Sequence, residues 1–198
     1  LDVTPTNSST PPVFDNAQSS GNFMGRWGAV FDGSDNKELK VDNYTNSFGT
    51  GEQKYTIFCS TYWDGGEGDD IMFAIGRHDT NRNVAYHPNY NDVANHYHFG
   101  ADTTYNTFHM YDQETRTVGL KYVGGGSNKT NMKKWLDTTT KAGDAGTATS
   151  ALNLENDYPL RIGGDWGRYR AYEGRIFNFI ALRTDRTDSE VTDIIGKL

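Results

Sequence analysis

Cysteine is nearly missing from this 198-residue sequence, in which Cys59 stands alone. It can form no internal disulfide, and its place between Phe58 and Ser60 in a strand-like run marks a small buried residue. Basic residues are also short, with 19 Lys and Arg against 26 Asp and Glu, for a net charge of −7. That balance excludes general nucleic-acid binding, which needs a phosphate-neutralising face. No apolar run approaches the roughly 20 residues that span a bilayer, and no charged segment followed by an apolar one marks a leader. Membrane insertion is therefore not expected. Long amphipathic helical runs are missing too, which excludes a helical bundle.

Glycine and aromatic residues are abundant instead, with 22 Gly, 12 Tyr, 10 Phe and 4 Trp. Many short strands joined by tight turns follow from that composition, at a length that suits one all-β domain with a sizeable core. Residues 1–20 hold three of the five prolines and no Lys or Arg. This is the composition of an extended linker or tail, with Val13 and Phe14 its only candidates for docking, and it leaves residues 21–198 as the folded domain. Residues 25–41 read as a hairpin around a Gly/Ser/Asp/Asn turn, with Trp27, Ala29 and Phe31 on one face. Residues 54–62 read as a strand that sets Tyr55, Ile57, Cys59 and Thr61 opposite Thr56, Phe58, Ser60 and Tyr62. Further strands are expected at 71–76, 97–100, 107–111 and 117–123, and residues 124–150 as a long loop or a weak hairpin around Trp135.

The C-terminal stretch carries the clearest signals. Pro159 can open a strand in which Leu160 and Ile162 share a face, and Gly163 and Gly164 end it. After a loop, Gly174 releases a run with Ile176, Asn178, Ile180 and Leu182 on one face and Phe177, Phe179, Ala181 and Arg183 on the other. A strand apolar on nearly both faces is central and covered twice. Thr187, followed by Asp188, Ser189 and Glu190, forms a capping box that starts a short helix with Val191, Ile194 and Ile195 turned inward as a lid.

The order Leu160-Arg161-Ile162-Gly163-Gly164-Asp165, Gly174-Arg175-Ile176 and Asp188-Ser189-Glu190-Val191 resembles the end of concanavalin A-like, laminin-G-like domains, which include lectins and glucanases. Residues 29–35 resemble that family's first core strand. The resemblance implies an all-β fold, a two-sheet antiparallel jelly-roll sandwich with one short C-terminal helix.

Glucanases on this sandwich carry three carboxylates at period two on one strand, where nucleophile, assistant and acid share a sheet face. Glu67 and Asp69 have that spacing, but Ile71 and Met72 stand where the third carboxylate belongs. The catalytic reading is therefore set aside, and the chain is expected not to be an enzyme. Asp64, Glu67, Asp69 and Asp70 offer hard oxygen ligands, so Ca²⁺ is the one cofactor to consider, although no calcium-loop spacing supports it. His96 and His98 share a strand face as a metal pair would, yet no third ligand has diagnostic spacing. No metal residue is assigned.

The loop from Asp165 to Tyr172 packs three aromatics and two arginines into a strand connection. Sugar rings stack their C–H faces on Trp or Tyr, while Arg and Asp bond hydroxyls and Arg also pairs with acidic sugars. Trp166, Arg168, Tyr169, Arg170 and Tyr172 are therefore the candidate carbohydrate or partner contacts. The competing reading folds Trp166 and Tyr172 onto the sheet edge as core rim. Residues 86–90 form a similar, weaker loop. The expectation is a non-catalytic carbohydrate-recognition or surface-adhesion module of a larger extracellular or virion assembly. Its partner is a glycan or a neighbouring protein subunit, and self-association through the N-terminal tail is a further option. A structural or decoration protein of a phage capsid or fibre is the alternative, and a glycan hydrolase or lyase the second one.

Overall fold

Period-two alternation builds two antiparallel sheets whose facing sides share one core. The computed structural model describes residues 4–5, 13–16, 27–34, 37–65, 70–79, 81–90, 93–98, 101–105, 114–125, 131–141, 144–145, 151–164 and 171–198. One sheet has seven strands, in spatial order β12 (Thr139–Lys141), β11 (Met132–Leu136), β10 (Thr115–Tyr122), β5 (Tyr55–Trp63), β15 (Glu173–Leu182), β3 (Trp27–Asp32) and β2 (Val13–Asn16). The other has eight, in order β1 (Thr4–Pro5), β4 (Leu39–Val41), β14 (Leu160–Ile162), β6 (Phe73–Gly76), β7 (Asn83–Tyr90), β8 (Val93–His98), β9 (Ala101–Tyr105) and β13 (Asp144–Ala145). The helices are α1 (Tyr44–Phe48) and α2 (Asp188–Ile195).

Between the sheets lie Phe31, Tyr55, Ile57, Cys59 and Trp63 from one side and Phe73, Ile75, Val84 and Tyr86 from the other. Cys59 is a buried free thiol whose pKa is pushed up by burial, in keeping with a small core residue. The outer face of the seven-stranded sheet is covered separately, by α2, where Val191 and Ile195 pack on Phe58 and Trp135. The capping box is formed: Glu190 N–H donates to Thr187 Oγ1 at 3.2 Å, and Thr187 N–H donates to Glu190 Oε2 at 2.8 Å. Lys121 and Lys133 both donate to Asp188, at 2.7 and 2.6 Å, and moor the first turn to the sheet. Gly119 makes the contact close, because a Cβ there would stand 2.8 Å from Ile195 Cδ1.

Four sequence expectations are corrected. Residues 25–41 are not a hairpin: β3 and β4 belong to different sheets, and the connection between them turns the corner from one layer to the other. Strand β15 does not keep one alternation. Its register against β5 shifts between Ile176 and Asn178, so Phe177 is an extra residue, and Ile176 joins Phe179 and Ala181 at the central core while Ile180 and Leu182 face α2. Residues 86–90 are not a loop but the end of β7. The register against β8 becomes irregular after His87, where Pro88 has no N–H to give a ladder. The strand expected from residue 97 begins earlier, as β8 from Val93, and the strand expected at 107–111 lies outside the described residues. Within the 20-residue tail, Thr4–Pro5 pairs with β4 and Val13–Asn16 pairs with β3, one edge of each sheet.

At the end of the sandwich where β5 begins, the core turns polar. Tyr55 Oη lies 2.6 Å from Nε2 of His96 and 2.6 Å from Nε2 of His98, and all three side chains are buried. A phenol has one proton to give, so it donates to one ring and accepts from the other, and the two imidazoles are opposite tautomers. Nearby, Lys134 crosses from β11 to donate to the Ala94 carbonyl at 2.6 Å. Burial holds His98 down at about 3; it holds His96 well below its ordinary value, with the charges of His98 and Lys134 adding to the effect. Burial also brings Lys134 down to about 7. His96 and His98 are thus neutral structural groups at pH 7.

Two outcomes follow. Between pH 6.5 and about 3 the unfolded chain takes up protons that folded His98 refuses, so stability present above pH 6.5 is lost as the pH falls. Stability should fall below pH 6.5 by about 1.4 kcal/mol per pH unit from His98 alone, read as a falling thermal unfolding midpoint between pH 7 and pH 4. In a His96→Gln/His98→Gln protein that slope should flatten; an unchanged slope would show that other groups carry it. At Gly163, where φ is +83° and a Cβ would stand 2.1 Å from the Phe31 ring, Gly163→Ala should destabilise by about 2–4 kcal/mol in urea unfolding.

Candidate functional site

The strand ends decide what the connections can form. In the seven-stranded sheet Asp32 pairs with Glu173, Gly174 with Trp63 and Tyr62 with Thr115, so β3, β5 and β10 present those ends together. In the eight-stranded sheet Ile162 pairs with Leu39 and with Phe73, and Phe73 with Tyr86. The β3–β4, β5–β6 and β14–β15 connections therefore meet at one rim. The acidic turn that begins at Asp64 and the aromatic loop ending at Tyr172 belong to two of these connections, and residues 86–90 run up to the same rim.

Backbone hydrogen bonds tie this rim together. Tyr172 N–H donates to the Gly163 carbonyl at 3.1 Å, closing the base of the β14–β15 loop. Gly163 N–H donates to Met72 at 2.8 Å, and Met72 N–H to Tyr86 at 2.9 Å. Gly33 N–H donates to Tyr172 at 3.2 Å, and Asp64 N–H to Glu173 at 3.1 Å. A loop with such a base starts from a rigid scaffold, which is how sandwiches hold recognition loops.

Of the candidate contacts, Trp166, Arg168, Tyr169 and Arg170 lie outside the described residues. Tyr172 is described and is 0% exposed. Its hydroxyl donates to the Tyr62 carbonyl at 3.0 Å and meets Thr61 Oγ1, and its ring meets Phe31 edge-on with centroids 6.1 Å apart. Burial holds the phenol well above its ordinary pKa, so it stays protonated. Tyr172 thus takes the rim-packing role at the end of the loop.

Among the acidic candidates, Asp64 is exposed, while Asp70 is buried and accepts from Trp63 Nε1 at 3.0 Å. Glu67 and Asp69 lie outside the described residues. Among the described residues no three His, Cys, Asp or Glu side chains converge as a metal site would require. His96 and His98 are brought together, but on Tyr55 at the opposite end of the sandwich.

Residues not singled out by sequence complete the rim. Asp32 accepts from Lys37 and from Ser34; partial burial alone would raise its carboxyl, but these bonds bring it to about 2, so it stays ionised. Glu38 pairs with Arg161, 123 positions away. No local signal marks that pair, since only the β4–β14 register makes them neighbours.

No protein-family model matches the sequence, and no curated protein matches it at a significant level. Solved structures do resemble the fold. Domain 4 of AbnA, a GH43 extracellular arabinanase from Geobacillus stearothermophilus in complex with arabinotriose, has a TM-score of 0.69 at 13% identity over 98% of this chain and 87% of that one. A Trypanosoma rangeli sialidase in complex with 2,3-difluorosialic acid has a TM-score of 0.60 at 13% identity; the match covers 93% of this chain and only 29% of the sialidase. The Ruminococcus gnavus IT-sialidase CBM40 bound to α2,3-sialyllactose has a TM-score of 0.50 at 15% identity over 77% of this chain and 86% of that one. Identities this low carry the fold alone. The chain shares the two-sheet β-sandwich fold of these domains, and the match does not single out the concanavalin A-like branch.

Proposed function

We propose that this chain is a non-catalytic carbohydrate-recognition or surface-adhesion module of a larger extracellular or virion assembly, with the 165–172 loop as its contact surface. The observation that carries the reading is the base of that loop, which is closed by the Tyr172–Gly163 hydrogen bond and ends on buried Tyr172. Between those two residues the sequence holds Trp166, Arg168, Tyr169 and Arg170, a combination of aromatic faces and guanidinium donors suited to sugar C–H faces and hydroxyls. Two solved domains of similar fold hold arabinotriose and sialyllactose, which supports a glycan as the partner class. The non-catalytic reading is supported by the missing third carboxylate after Glu67 and Asp69, since glycoside hydrolysis needs paired acids in fixed geometry.

Replacing Trp166 or Tyr169 with Ala should weaken binding by about 1–3 kcal/mol, the range of a truncated hot spot, with the unfolding midpoint unchanged. Tyr172→Phe should do the reverse, lowering the midpoint through its lost buried hydrogen bonds and changing affinity little. Isothermal titration on glycans found by array screening, with thermal unfolding of each variant, measures both quantities. Unchanged binding with a lower midpoint in Trp166→Ala would assign Trp166 to the core and remove the loop as the site. Release of reducing ends from a bound polymer would overturn the non-catalytic reading.

A further inference from the structure

In an Asp-Gly pair the glycine nitrogen can reach the aspartate side chain, because glycine has no Cβ to block the approach and turns its backbone freely. The sequence holds this pair twice, at Asp32-Gly33 and Asp64-Gly65, and both stand where their strands, β3 and β5, reach the rim. The fold treats them differently. Asp32 accepts from Ser34 N–H at 3.1 Å, from Ser34 Oγ at 2.5 Å and from Lys37. Partial burial raises its carboxyl, but these bonds outweigh it and bring it to about 2, which leaves roughly 60-fold less neutral acid than an ordinary aspartate at 3.8. The Gly33 nitrogen is held as well, donating to the Tyr172 carbonyl at 3.2 Å. At the second pair both reactive groups lie at the surface. Asp64 and Gly65 are exposed, Gly65 has φ +92°, and a Cβ there would meet nothing within 4 Å. The Asp64 N–H is tied to the Glu173 carbonyl at 3.1 Å, but among the described residues no hydrogen bond occupies the Gly65 N–H.

We propose that Asp64 is a site of spontaneous covalent modification, where Gly65 attacks the Asp64 side chain and the backbone isomerises to a β-linked isoaspartate, while Asp32 is protected by its hydrogen bonds. The Gly65 nitrogen bonds to Asp64 Cγ, and its proton leaves with the carboxyl hydroxyl as water, closing a five-membered succinimide. Water then opens the ring. Attack at Cγ restores the aspartate; attack at the Asp64 carbonyl carbon frees an α-carboxylate and leaves the chain running through the former side chain. Water is the only other reactant, and nothing is oxidised or reduced. The product keeps its negative charge and adds one atom to the backbone, directly beyond the N–H that ties the end of β5 to Glu173. The chain leaving β5 is thereby re-aimed at the rim with its anchor intact. This site does not depend on what the rim binds.

The test incubates the intact chain for several weeks at pH 7.4 and 37 °C, one sample folded and one in guanidinium chloride, followed by proteolysis. Mass spectrometry with electron-transfer fragmentation then separates isoaspartate from aspartate in the peptides that hold Asp32 and Asp64. In the folded chain isoaspartate at Asp64 should exceed that at Asp32 by about tenfold or more, because the neutral acid and the free nitrogen are both scarce at the first pair. In denaturant the two should approach equality, since the bonds that protect Asp32 are gone. Asp64→Glu should abolish the product at this position, because the longer side chain cannot close the five-membered ring. Absence of isoaspartate at Asp64 in the folded chain, or equal amounts at both positions, would overturn the proposal. A tenfold gap that persists in denaturant would overturn it too, by assigning the difference to local sequence and not to the fold.

Discussion

The need to bury both faces of β5 and β15 governs the rest of this fold. Tyr55, Ile57, Cys59 and Trp63 go into the space between the sheets, and Phe58 leaves the opposite face apolar beside Ile180 and Leu182. A single facing sheet cannot cover both sides, so α2 is drawn down on the second. Fully burying side chains such as Phe58, Trp135, Val191 and Ile195 is worth about 1.5–3 kcal/mol each, against roughly 1 kcal/mol for a helix cap and less for exposed ion pairs. The capping box and the Lys121–Asp188–Lys133 clamp therefore set where the helix starts; the apolar face decides that it docks.

The same strand separates two polar regions. Tyr55 at its start joins His96 and His98 in a closed interior network, while Trp63 at its end bonds Asp70 at the rim. Eight residue steps put these roughly 26 Å apart. The interior network is buried, and its three members bond one another. The rim consists of connections, where side chains can vary without disturbing the ladders, and backbone bonds tie the described ends of three of them together.

Resemblance of fold does not carry resemblance of ligand. Sandwiches host many unrelated recognition tasks, so a shared architecture names a class of partner at most, and the site decides the rest. In this chain the described part of the rim is held by backbone bonds between Gly33, Asp64, Met72, Gly163 and Tyr172, positions that only the topology brings together.

Elements with local causes were legible before any folding was known. Alternation in residues 54–62 placed β5 and both its faces, the glycine pair after Ile162 ended β14, and the Thr187–Glu190 box started α2, because each depends on neighbours a few residues away. The β14–β15 loop was equally legible as a concentration of aromatics and arginines. What only the tertiary structure decided are choices between locally equal options. Residues 39–41 could extend a hairpin or enter the other sheet, and the second sheet's free edge on β14 took them. Phe177 could continue the alternation or be skipped, and the pairing with β5 skipped it. Short α1 has no periodic signal, and Tyr44 and Phe48 are held by stacking and burial instead. Tyr172 read equally well as a contact or as core; its hydroxyl found Tyr62 across the strand, a partner 110 positions away that no local pattern could announce.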